Sequence, residues 1–101
     1  MEFYCLGEEE LVIGFRLVGI EGKVVTNRQE ALEGFLYATR EVKPRVLILT
    51  EEVASYLETE TAEWNLSGQF PLLVEIPGLQ GKLPGRKTLV ESIREAIGIS
   101  V

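Results

Sequence analysis

RVLILTEEVA, residues Arg45 to Ala54, decides how the rest of the chain is read. Val46, Leu47, Ile48 and Leu49 form an unbroken apolar run, without the polar alternation expected of a strand with one wet face. Such a run suits a parallel strand covered on both faces. Thr50 follows as a helix N-cap, and Glu51 and Glu52 supply the first-turn carboxylates that a helix dipole favours. Val53, Ala54 and Leu57 then mark the apolar side of that helix. A strand running straight into a helix is the unit from which layered α/β sheets are built.

The same unit recurs on both sides of this stretch. Strand-like runs lie at Phe3 to Leu6, Lys23 to Thr26 and Pro71 to Ile76, with Arg45 to Leu49 the third in chain order. Leu11, Phe15 and Val18 stripe a helix after the first strand; Ala31, Leu32, Phe35, Leu36 and Ala38 stripe one after the second. Thr26 and Gln29 have the spacing of a capping box for that second helix. Leu89, Ile93 and Ile97 stripe the last helix, and Gly98 stands where a left-handed terminating residue is favoured. Four alternations predict one α/β, Rossmann-like domain of flavodoxin or receiver type. Its four-stranded parallel sheet should have the order 2-1-3-4, with helices on both faces and right-handed crossovers. Residues 1–101 then form a single domain in which 77–87 is a loop and 88–101 a terminal helix. Trp64 lies in TAEWNLSGQF, a stretch of weak periodicity, and is expected to fold back on the sheet edge or, if exposed, to anchor an interface.

Composition narrows the chemistry. The 101 residues carry no histidine and no aspartate, so all 16 acidic residues are glutamates. This removes His-dependent triads, His-bearing zinc sites and the usual metal-holding aspartate of nucleotide hydrolases. The formal net charge of −6 opposes binding to nucleic acid. No apolar run approaches the roughly 18 residues of a membrane span, and MEFYCLGEEE lacks the basic start of a secretory signal; a cytoplasmic protein is expected. Cys5, the lone cysteine, sits among apolar neighbours and reads as a small buried hydrophobe.

Three stretches are candidate sites. IPGLQGKLPGRKTLVESI, residues 76–93, resembles a phosphate loop, but Arg86 occupies the position before Lys87 where glycine must let the backbone curl around phosphate. The alternative is a solvated basic loop of Lys82, Arg86 and Lys87, or one that meets an acidic partner. The second candidate is the switch point at the carboxyl ends of the first and third strands, where Glu8 to Glu10 meet Glu51 and Glu52. A receiver would need an aspartate where Thr50 stands. Metal binding by these glutamates competes with the simpler reading of a solvated acidic face. A flavin, third, would meet repulsion from GEEEL where its phosphate is normally held. No catalytic residue, cofactor or metal site is assigned on these grounds.

GFRLVGIEG, VLILTEEVA, FPLLVEIPG and IREAIGI, in this order and at fitting separations from about Leu6 to Ile99, resemble the F subunit of the V-type and A-type rotary ATPases. The resemblance implies a non-catalytic central-stalk protein with a mobile C-terminal helix. It further implies that the D subunit is its stalk partner, and that nucleotide is handled by the A and B subunits of the catalytic hexamer. Glu8 stands where relatives commonly carry aspartate, and the last loop is unusually basic. The expected partner surface comprises Gly19, Ile20, Glu21 and Lys23, the strand ends at Thr50 and Pro77, and Ile97 and Ile99 of the last helix, where core burial explains Ile97 equally well. A stand-alone receiver-like adaptor and a small nucleotide-binding enzyme are the competing functions.

Overall fold

The computed structural model describes residues 2–78. The expectations for the loop 79–87 and the helix 88–101, including Ile97 and Ile99, lie outside the described residues. Strand β1 spans Phe3–Gly7, helix α1 Glu9–Leu17, β2 Glu21–Val24 and α2 Arg28–Tyr37. A π-helical turn, Ala38–Val42, extends α2 before β3 (Val46–Thr50), and α3 (Glu51–Tyr56), α4 (Glu58–Ser67) and β4 (Leu72–Ile76) complete the series. All three strand pairs are parallel, and the sheet order is β2-β1-β3-β4. The architecture is the α/β, Rossmann-like one expected.

Side-chain alternation divides the sheet into two faces of different character. Tyr4, Leu6, Leu47 and Leu49 point into one core with Ala31 and Phe35 of α2 and Val53 of α3. Phe35 meets Trp64 of α4 edge to face, with ring centroids 5.7 Å apart. Helices α2, α3 and α4 therefore lie on this face. Helix α1 lies on the other, packed along β1 and β2. There Cys5 and Gly22 stand side by side in register.

Several boundaries differ from the sequence reading. β2 starts two residues earlier than expected because α1 is closed by a compact turn. Gly19 adopts φ 89°, and Ile20 N–H donates to the Phe15 carbonyl at 2.9 Å. Thr26 lies beyond the strand and is not the cap of α2. Asn27 is: its side chain accepts from Glu30 N–H at 2.9 Å, while the Glu30 carboxylate reaches back to the N–H and hydroxyl of Thr26. The reciprocal capping logic survives with Asn27 and Glu30 in place of Thr26 and Gln29. In α1 the wholly buried residue is Val12; Leu11 and Phe15 flank it, and Val18, just past the helix end, is exposed. The stretch around Trp64 is helical, and its indole N–H donates to the Pro71 carbonyl at 2.8 Å, tying α4 to the entry of β4. Trp64 thus folds back on the sheet edge.

The most consequential difference concerns β3. Leu47 and Leu49 are 0% and 1% exposed. Val46 and Ile48, on the α1 side, are only half-buried. The unbroken apolar run predicted cover on both faces, and the described helices cover one.

Candidate functional site

The carboxyl ends of the strands gather Gly7, Glu8, Thr50, Glu51 and Gly78. β1 and β3 are neighbours whose following helices leave on opposite faces, so this is the switch point of the sheet. Thr50 ends β3, and its hydroxyl accepts from Val53 N–H at 3.2 Å as the cap of α3. The Thr50 side chain is buried and engaged in the fold, standing where a receiver would present its phosphate-accepting carboxylate. Glu52 is exposed and accepts a hydrogen bond from the Tyr56 hydroxyl at 3.2 Å. Glu51, by contrast, is fully buried. The reading of Glu51 and Glu52 as one solvated acidic face holds only for Glu52. Consecutive residues in a helix point about 100° apart, so the first turn sends one carboxylate inward and the other out.

Glu8 precedes α1 and is half-buried, with Glu9 and Glu10 exposed in the first turn. Gly78 closes on Glu8: a Cβ placed on Gly78 would come within 2.6 Å of Glu8 Oε1. The chain leaving β4 thus crosses the end of β3 toward the start of α1. The sequence did not reveal this contact, although a glycine directly after Ile76–Pro77 is the residue that close backbone approach requires. Among the described residues, no group of three or more His, Cys, Asp or Glu side chains has an arrangement that could hold a metal ion.

Of the residues expected at a partner surface, Gly19 and Glu21 are exposed and Ile20 and Lys23 are half-buried. Glu21 lies 3.9 Å from Arg16 across a solvent-facing pair. Gly19 and Ile20 precede β2, and the register sets Glu21 level with Tyr4 and Leu47, and Lys23 level with Leu6 and Leu49. Lys23 therefore lies one residue short of the level of Thr50, two strands away, and the exposed Pro77 follows β4. Gly19 to Lys23 and Pro77 thus lie on the two outer strands of the sheet.

Cys5 is 0% exposed, and burial pushes its thiol up from the ordinary value of 9.0 to about 11, with Arg16 opposing the shift and Glu21 adding to it. A thiol held protonated at neutral pH is no nucleophile. Between pH 9 and 11 the unfolded chain loses this proton while the folded chain keeps it, so the folded state loses stability as pH rises through that window. Denaturation midpoints measured from pH 8 to 11 should fall less steeply for Cys5→Ala than for the parent chain. Parallel slopes would show that Cys5 does not contribute to the alkaline limb.

The fold and the switch point define a class: a Rossmann-like α/β domain whose polar residues at the strand ends serve capping and backbone packing. The particular family follows from comparison with known proteins. Residues 4–97 match the family described as ATP synthase (F/14-kDa) subunit, and the chain belongs to that family. It is similar to the F subunit of the A-type ATP synthase of Methanocaldococcus jannaschii, at 31% identity over 100% of this chain and 99% of the relative. The corresponding protein of Methanothermobacter thermautotrophicus is 32% identical over 95% and 92%. That of Thermoplasma acidophilum is 28% identical over 95% and 90%. The chain is thus a subunit of an ATP synthase, a component of an enzyme complex. Among the described residues, no helix is long and apolar enough to cross a membrane.

Proposed function

We propose that the chain is a non-catalytic subunit of the central stalk in an A-type ATP synthase. In this reading it binds the D subunit and helps to couple the A/B hexamer to ion translocation, at the cytoplasmic side and without entering the bilayer. The observation that carries the proposal is the family match from residue 4 to residue 97. Physical support comes from two side chains: Thr50, at the end of β3, caps a helix, and the Cys5 thiol inside β1 is buried and protonated. A rotor component needs a rigid core and an adhesive surface, and Gly19, Ile20, Glu21, Lys23 and Pro77 are the described residues we assign to that surface. Their separation on two edges suits an elongated partner better than a compact one. The C-terminal positions Ile97 and Ile99 are proposed to extend the contact toward the hexamer.

The test is affinity capture of the tagged chain from native lysate, followed by identification of the co-purifying proteins. Recovery of the A, B and D subunits is expected. Recovery of the chain without any other component of the ATP synthase would overturn the proposal. Calorimetry offers a separate check, because the isolated chain should give no saturable heat with Mg-ATP. Micromolar binding abolished by Lys87→Ala would instead reinstate the phosphate-loop reading of residues 76–93.

A further inference from the structure

Among the described strands β2 lies at one edge of the sheet, and one side chain guards that edge. Val25 N–H donates to the Gly7 carbonyl at 3.0 Å, so Glu21 and Lys23, at alternate positions before it, also turn their backbone groups toward β1. Gly22 and Val24 turn theirs outward. Arg16 of α1 reaches over the edge: its Nη2 donates to the Gly22 carbonyl at 3.2 Å, and its Nε lies 3.9 Å from Glu21 Oε2. Two apolar side chains accompany it on the outer side of the helix. Ile13, one turn before Arg16, is 48% exposed, and Leu17, next to it, is 83% exposed.

We infer that β2 and the adjoining flank of α1 dock a second copy of this chain, whose β2 pairs antiparallel across a two-fold axis at Gly22 once Arg16 swings aside. Register, distance and apolar cover each point to this occupant. Residues with outward backbone groups oppose one another in an antiparallel pair. With Gly22 opposite Gly22 of the second copy, Glu21 of each chain stands directly across from Lys23 of the other, and opposite charges so placed attract. The neighbouring registers lose this match: Gly22 opposite Val24 sets Lys23 against Lys23, and Val24 opposite Val24 sets Lys23 against Val25. Helix α1 packs along β1 and β2, so the two copies of α1 come to lie about two strand spacings, or about 10 Å, apart on one face of the joined sheet. That is a normal distance between packed helices. Arg16, between Ile13 and Leu17, sets this part of α1 level with Gly22, so the two-fold brings Ile13 and Leu17 of both copies together beside the axis. The contact is small, a strand of four residues and one helix flank from each chain, and the dimer is accordingly weak. The inference concerns the chain by itself and does not rest on the stalk assignment.

The test is sedimentation equilibrium of the full chain at concentrations up to about 1 mM, where a small interface becomes occupied. Arg16→Ala frees the Gly22 carbonyl in both copies and should tighten dimerisation about tenfold. Adding Lys23→Glu to it sets glutamate against glutamate at both symmetry-related positions and should weaken the dimer about tenfold. Exchanging both charges in that background, Glu21→Lys with Lys23→Glu, recreates the opposite pairs and should restore association. Leu17→Glu, at a side chain the monomer leaves in water, should weaken the dimer while the thermal midpoint of the dilute chain stays unchanged. A chain that stays monomeric at every concentration after Arg16→Ala would overturn the inference, as would association no tighter than the parent's. So would a dimer indifferent to Lys23→Glu or to Leu17→Glu, or a charge exchange that restores nothing, since the second copy would then sit on another surface.

Discussion

Truncation of Phe35 to alanine should remove about 3–5 kcal/mol of folding stability, the usual loss for a buried phenylalanine. Phe35 is 4% exposed and sits in α2 at the centre of the main core, against the same cluster as Leu6, Leu47, Val53 and Leu57. It also holds Trp64 edge to face, so its loss loosens α4 as well as α2. Small domains have about 5–15 kcal/mol in total, so the variant should be marginal at room temperature. Urea denaturation followed by Trp64 fluorescence measures it directly. A midpoint equal to that of the parent chain would mean that α2 does not pack on the sheet through this stripe.

Gly22→Ala should be the second severe substitution, through the opposite defect. An added Cβ would lie 2.2 Å from Cys5 Sγ and 2.7 Å from the Cys5 carbonyl oxygen. Such separations are far inside van der Waals contact, so β2 must move away from β1. The cost should be about 2–4 kcal/mol, at or above the upper range for overpacked cores. Combining it with Cys5→Ala should recover only part of this, because the backbone oxygen remains in the way. Full recovery in the double variant would place the whole conflict on the sulfur. A neutral Gly22→Ala would show that the two strands do not approach this closely.

Both substitutions illustrate what the sequence made legible. Phe35 was placed on the core stripe of its helix by spacing alone, since a 3.6-residue period leaves little choice about which side is buried. The strand order and the apolar character of β3 were equally plain, because short apolar runs alternating with amphipathic helices admit few topologies. Gly22 was not identified as a packing position. A glycine near a strand start reads as turn chemistry, and only the register against Cys5 reveals the close approach. Asn27 was missed as a cap although asparagine is the stronger N-cap by preference; the Thr26–Gln29 spacing matched a capping box, and Asn27–Glu30 offers the same spacing one residue on. At the switch point, the N-cap role of Thr50 was legible from its place between an apolar run and two glutamates. The burial of Glu51 was not, since sequence gives a residue's type but not the wall it faces. The meeting of Glu8 with Gly78 depends on residues 70 positions apart and leaves no local signature.

The central position of β1 also bears on how the protein is made. Its residues leave the ribosome before those of the other three described strands, yet both edges of the strand need partners: Glu21–Val24 on one side and Val46–Thr50 on the other. One edge stays open until Thr50 has been synthesised, and β3 in turn waits for Leu72–Ile76. At about 5–20 residues per second, emergence of residues 8 to 50 takes roughly 2–8 s. During that interval a short apolar strand with unpaired N–H and C=O groups is exposed to other nascent chains. Its brevity, at five residues, limits the template it offers. Slowing translation between codons 24 and 46 should therefore increase aggregation of the nascent protein more than slowing it after codon 76, where all four described strands have been made.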